Sequence, residues 1–197
     1  MASLGIGGRA VCRELSFTRA AIHDVKLFTP VRHQDGRGFF SETWNRRALS
    51  DNGLTVDFVQ DNLAHSKKAG TVRGLHYQDP PAAQGKLVSV LRGAVFDVAL
   101  DIRTDSPTYG QHVSVTLTAD EGNQIWIPEC FAHGYCTLED DTLLFYKQTA
   151  FYAPDHEGGI LWNDPALDID WPVNSNTAIL SGKDLALPTF TEWAAGR

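Results

Sequence analysis

The sequence predicts an all-β protein built as a sandwich or barrel. Short runs rich in Val, Ile, Thr and aromatic residues recur at roughly ten-residue spacing from Lys86 onward. Turn signals stand between them, such as Arg92-Gly93 and Asp105-Ser106-Pro107-Thr108-Tyr109-Gly110. The 17 Gly and nine Pro are scattered rather than periodic, as many tight turns require.

Taken in order, residues 1–13 contain no apolar run of signal-peptide length, because Arg and Gly interrupt it. Residues 1–20 read as an N-terminal arm and residues 21–197 as one domain. The Gly5-Ile6-Gly7-Gly8 cluster lacks the strand and the spacing of a dinucleotide loop. Residues 21–29 read as a first strand ended by Pro30, and residues 33–38 as turn. Residues 45–51 read as a short helix with Gly53 as its stop. Strands are expected at residues 55–60, 71–78, 86–90, 94–102, 112–117, 123–127, 132–138 and 142–149. The tail, residues 177–193, reads as a short helix or turn packed back over the barrel.

Composition bounds the function. With 197 residues, 43% hydrophobic and 21% charged, the chain can bury one real core. A net charge of -7 excludes a general basic surface for nucleic acid, but not a local cationic pocket for a small anion. No run has transmembrane length, so no membrane partner is expected. Cys12, Cys130 and Cys136 are odd in number and lack paired metal spacing, which suits reduced thiols in a cytoplasmic protein.

The most informative stretch is Arg73-Gly74-Leu75-His76-Tyr77-Gln78, followed by Gln84-Gly85-Lys86-Leu87-Val88. It sets an imidazole, a guanidinium and an ammonium on strand-like segments. A base beside two cations can take a proton from carbon and hold the negative charge that results. A lone histidine or lysine is more often structural; the three together are what point to chemistry.

These motifs occur with Val59-Gln60-Asp61-Asn62, Val95-Phe96-Asp97-Val98-Ala99, Trp126-Ile127-Pro128-Glu129, Phe131-Ala132-His133-Gly134 and Leu161-Trp162-Asn163-Asp164-Pro165. In that order they resemble the dTDP-4-dehydrorhamnose 3,5-epimerase family, over about Val25 to Pro188. The resemblance implies a cupin-type jelly-roll barrel with short peripheral helices, a homodimer, a dTDP-sugar substrate, and no cofactor. A ketone at carbon 4 acidifies the hydrogens on carbons 3 and 5, so the reaction needs a base, an acid and a cation near the oxygen. The physiological role implied is deoxysugar supply for surface polysaccharide.

The resemblance also assigns residues. His76 matches the base, and its unperturbed pKa of about 6.5 suits that work. Asp184 matches the carboxylate that orients it. Lys86 matches the cation at the enolate oxygen. Tyr146 matches the acid on the opposite face, although an aromatic in an apolar strand is usually core. Arg73 and His133 match residues lining the site. Arg37, Glu42, Gln60, Asn62, Glu157 and Lys183 match contacts to the nucleotide part, where the amides of Gln60 and Asn62 suit either a pyrimidine edge or a sugar hydroxyl, with Tyr152 a stacking platform. Asp97 either supports the histidine or satisfies strand polar groups.

A metal is not expected, because His76-Tyr77-Gln78 lacks the second histidine that a metallated cupin brings and the second motif supplies only His133. The competing readings are a mono-epimerase acting at one carbon, a metal-dependent cupin, and a non-catalytic carbohydrate-binding jelly roll.

Overall fold

The computed structural model of the chain describes residues 15–197. In chain order the strands are β1 (Leu15–Arg19), β2 (Lys26–Pro30), β3 (His33–Asp35), β4 (Gly38–Phe40), β5 (Gln60–Ser66), β6 (Val72–Gln78), β7 (Lys86–Arg92), β8 (Ala94–Asp101), β9 (His112–Thr118), β10 (Gln124–Ile127), β11 (Phe131–Thr137), β12 (Thr142–Gln148) and β13 (Glu157–Gly159). Three short helices are peripheral: α1 (Arg46–Asp51), α2 (Gly182–Leu185) and α3 (Phe190–Ala195).

The strands form two facing antiparallel sheets and a separate hairpin. One sheet runs β1-β2-β10-β7-β12-β5 and the other β13-β6-β11-β8-β9. Non-sequential neighbours such as β10 between β2 and β7 are the mark of a jelly roll rather than a meander. One end of the space between the sheets is filled by Val88, Val90, Val95, Leu117, Ile125 and Leu144, all buried. That apolar packing leaves the other end free to open as a cavity.

The outer faces are covered too. Phe28, Leu49, Leu54, Leu87 and Trp126 form a cluster over the six-stranded sheet. It includes Leu49 of α1, whose first turn is capped by the Asn45 side chain accepting from the Arg47 and Ala48 N–H groups. Leu75, Tyr77, Leu100, Ile160 and Trp193 cover the five-stranded sheet. Here α3 is fixed by a capping box between Thr189 and Glu192. The Trp193 indole donates to the Tyr77 hydroxyl at 2.7 Å, so the C-terminal tail packs back on the barrel.

Four expectations change. Residues 15–19, inside the expected arm, form β1 and pair with β2. The rest of the arm, with Cys12 and the Gly5–Gly8 cluster, lies outside the described residues. Residues 20–25 are not strand, since the Val25 N–H closes a turn on the Ile22 carbonyl. Residues 33–38 belong to a hairpin, with β3 and β4 in register as His33–Phe40, Gln34–Phe39 and Asp35–Gly38. Finally, residues 55–59 are not strand; the strand begins at Gln60 and runs to Ser66.

Candidate active site

A cavity of about 610 Å³ opens between the two sheets. Ten of the residues singled out in the sequence line it: His76, Lys86, Tyr146, Asp184, Asn62, Arg73, His133, Tyr152, Glu157 and Lys183. His76 and His133 stand on adjacent strands of one sheet, β6 and β11, as direct partners. Lys86, Tyr146 and Asn62 stand on β7, β12 and β5 of the other, with Tyr146 directly opposite Asn62. An imidazole and a phenol therefore face one cavity from opposite walls.

Two glycines make the approach possible. At Gly74 the backbone turns to a φ of +108°, and an added Cβ would meet the His133 carbonyl oxygen at 2.5 Å. This is where the pairing of β6 with β11 shifts register, between His133 and Tyr135. At Gly85 an added Cβ would fall 2.3 Å from the Trp126 ring, so glycine lets the indole close in beside Lys86.

Asp184 is delivered by the capping of α2. Ser181 is the N-cap, accepting from the Asp184 N–H. The Ser181 hydroxyl donates back to Asp184 Oδ2 at 2.6 Å. Asp184 Oδ1 then lies 2.7 Å from His76 Nε2 and accepts the Gly74 N–H at 3.2 Å. Burial works to raise the pKa of this carboxyl, but hydrogen bonds from His76, Ser181 and Gly74 outweigh it and hold it at about 2. Asp184 is thus a fixed anion. His76 Nδ1 is buried and has no hydrogen-bond partner among the described residues, while Nε2 is held by Asp184.

A second histidine–carboxylate pair lies beside the first: His133 Nε2 is 2.9 Å from Asp97 Oδ2, and both residues are buried. Of the two roles open for Asp97, the geometry selects support of a histidine, but His133 rather than His76. Lys86 is only 7% exposed, and its ammonium reaches the His76 carbonyl at 3.4 Å. Burial pulls its pKa down to about 8, against the opposing pull of Asp97 and Glu157. At the mouth, Glu157 accepts from the Tyr152 hydroxyl at 2.8 Å and pairs with Lys183 at 2.7 Å. Burial works against ionisation of Glu157, and the hydrogen bonds from Lys183 and Tyr152 prevail and lower its pKa.

Three expected residues are not in the cavity wall. Gln60 sits behind it, accepting the Tyr152 N–H at 2.9 Å. Arg37 lies at the tip of the β3–β4 hairpin, its side chain 91% exposed and paired with Asp35. Glu42 accepts from the Asn45 amide at 2.7 Å. Within one chain neither Arg37 nor Glu42 lines the cavity. Conversely, the sequence reading passed over Gln84, Tyr135, Gln148 and Ser181, all of which line it. Ser181 had a signal, since a serine three residues before an acidic residue marks a helix start. Among the described residues no group of three His, Cys, Asp or Glu side chains is placed to hold a metal ion.

The model of the dTDP-4-dehydrorhamnose 3,5-epimerase family matches residues 19–192. The chain is 52% identical over 177 residues to the dTDP-4-dehydrorhamnose 3,5-epimerase of Pseudomonas aeruginosa, covering 89% of this chain and 96% of that one. Its fold matches the crystal structure of the Bacillus anthracis dTDP-4-dehydrorhamnose 3,5-epimerase with TDP and PPi bound: TM-score 0.87, 46% identity, 89% of this chain and 99% of the other. It also matches dTDP-6-deoxy-D-glucose-3,5-epimerase from Legionella pneumophila in complex with dTDP-4-keto-L-rhamnose: TM-score 0.85, 43% identity, 90% and 93% coverage.

Proposed function

The chain belongs to the dTDP-4-dehydrorhamnose 3,5-epimerase family, and we propose on that footing that it converts dTDP-4-dehydro-6-deoxy-D-glucose to dTDP-4-dehydro-L-rhamnose. It is an isomerase. The observation that supports the residue roles is the opposition of His76, backed by Asp184, and Tyr146 across one cavity that also holds the buried Lys86.

In this reading the sugar lies between the walls. His76 takes the proton from the carbon beside the ketone, and Asp184 favours the imidazolium that forms. Negative charge passes to the ketone oxygen, where the Lys86 ammonium stabilises it in a setting poor in water. Tyr146 returns a proton from the opposite face, which inverts the carbon. A phenol of unperturbed pKa about 10 is a weak acid, but a carbanion is a far stronger base. Once His76 has released its proton to solvent and Tyr146 has recovered one from it, the same steps at the second α-carbon complete the double inversion. Arg73 and Lys183 offer the diphosphate its positive charge, Tyr152 and Glu157 border the nucleotide end, and His133 and Asn62 flank the sugar.

Arg37 and Glu42 fit this scheme through a second copy of the chain. The hairpin that carries Arg37 and ends two residues before Glu42 exposes Phe39 and Phe40, the latter at 72%, which is surface that a homodimer would cover. We assign Arg37 and Glu42 to the mouth of the partner's cavity, and the enzyme to the cytoplasm, where Cys130 and Cys136 stay as free thiols.

The test is NMR of the dTDP-4-keto sugar with enzyme in heavy water. Deuterium at both carbon 3 and carbon 5 is expected. Label at one carbon alone means a mono-epimerase, and none at either overturns the reading.

A further inference from the structure

We propose that Gln148 is a positioning residue: it fixes which way round the Asn62 amide faces the sugar end of the cavity. The proposal rests on the epimerase reading. Gln148 is the inward-facing neighbour of Tyr146, two residues along β12, and is 5% exposed. Its Nε2 donates to Gln84 Oε1 at 3.0 Å. Gln84 is held from the other side, since its own Nε2 donates to the Ala150 carbonyl at 2.9 Å. That anchor leaves Gln148 one orientation, with Oε1 turned toward β5.

Gln148 Oε1 then accepts from Gln60 Nε2 at 2.7 Å and from Asn62 Nδ2 at 3.0 Å. Gln60 is fixed in turn, because its Oε1 accepts the Tyr152 N–H. Both Gln60 amide hydrogens are used, one on Gln148 and one on Asn62 Oδ1 at 3.0 Å. Four side-chain amides thus form a relay tied to the backbone at both ends. After these bonds Asn62 retains one N–H and one lone-pair direction. It lines the cavity directly opposite Tyr146 in register.

An unsupported asparagine can turn over and exchange its donor for its acceptor. A locked one presents a fixed donor–acceptor edge, which matches a sugar hydroxyl giving and receiving one hydrogen bond. Placed beside the proton donor, that edge sets the position of the ring against the Tyr146 hydroxyl. Misplacement by a fraction of an ångström there is felt in turnover rather than in nucleotide binding.

The experiment is a double-mutant cycle on the full-length enzyme. Gln148→Met keeps the volume and removes the bonds of Gln148 to Gln84, Gln60 and Asn62, leaving Asn62 held by the single bond from Gln60. We expect kcat to fall about tenfold and dTDP affinity to stay within about twofold. Placed on Asn62→Ala, Gln148→Met should cost nothing further, since it acts through that residue. Thermal unfolding checks the fold, and if Gln148→Met does not fold, Gln84→Met carries the test by freeing Gln148 to turn over. It should lower kcat about threefold, again with no added loss on Asn62→Ala. An indifferent kcat, or a loss that is fully additive with Asn62→Ala, overturns the proposal. Inactive wild-type protein sinks the epimerase reading and the relay with it; active wild type with an indifferent relay sinks only the relay.

Discussion

Replacing Lys86 by Met should make the protein more stable while making it nearly inactive. The reason is the burial of a charge. Below pH 8 the ammonium is protonated in both folded and unfolded chains, and folding must strip its water. The drop in pKa from 10.5 to about 8, at about 1.36 kcal/mol per pH unit, sets that cost at about 3 kcal/mol. Lys86 is 7% exposed, so solvent screening reduces the figure little. The sign follows from linkage: between pH 8 and 10.5 the unfolded chain binds more protons than the folded one, so stability rises with pH across that window. Urea unfolding at pH 7 should therefore find Lys86→Met more stable than wild type by up to about 3 kcal/mol, with the gap closing toward pH 10. Activity should move the other way. Only the charged ammonium stabilises an enolate, so wild-type kcat/KM should fall above about pH 8, and Lys86→Arg should push that limb upward. A Lys86→Met variant that is less stable at pH 7, or a wild-type alkaline limb at pH 10 or above, would refute the reasoning.

His76→Asn and Tyr146→Phe should each lower turnover at least about 100-fold while leaving dTDP affinity unchanged, read by heavy-water NMR and by titration calorimetry. Unchanged turnover in either variant removes its residue from the mechanism. Binding of dTDP should weaken about tenfold between roughly 0.05 and 0.5 M salt, because a diphosphate in a chain of net charge -7 depends on local cations such as Arg73 and Lys183. Asp184, held at about 2 from 3.8, contributes about 2 kcal/mol that is present above pH 4 and lost as pH falls through 2. Acid titration of stability for wild type and Asp184→Asn should show their difference shrink across that window, and a constant difference would contradict it.

Much of the sandwich was legible because its strands are short runs of β-branched, Leu and aromatic residues bounded by turn signals. Residues 86–90, 94–102, 112–117 and 142–149 carry enough Val, Leu and aromatic residues to announce themselves, and β7, β8, β9 and β12 end within two residues of those limits. The short helix after Asn45 was legible from Gly53 as its stop, which takes a φ of +76°. What escaped was short or weakly patterned. β13 is three residues of Glu-Gly-Gly with nothing to alternate, and it exists because β6 offers it an open edge.

β5 shows why the catalytic wall was harder to read than the core. Its inward residues Gln60 and Asn62 are polar, while outward Leu63 is 61% exposed. A period-2 reading places the sheet's apolar face on the wrong side, so the strand seems to end where it begins. The reversal has a cause: the wall of a cavity that binds a polar ligand needs amides where a packed core needs valine, and here those amides are satisfied by one another through Gln148. The same logic hid Gln148 and Gln84, which look like ordinary polar residues at the ends of apolar strands. Their function lies in pairing across 64 residues of sequence, a relation that no local pattern carries. Arg73, His76 and Lys86 were visible because their chemistry is unusual for strands. The residues proposed to orient the substrate against them are ordinary amides, and only the register between β5, β7 and β12 brings them together.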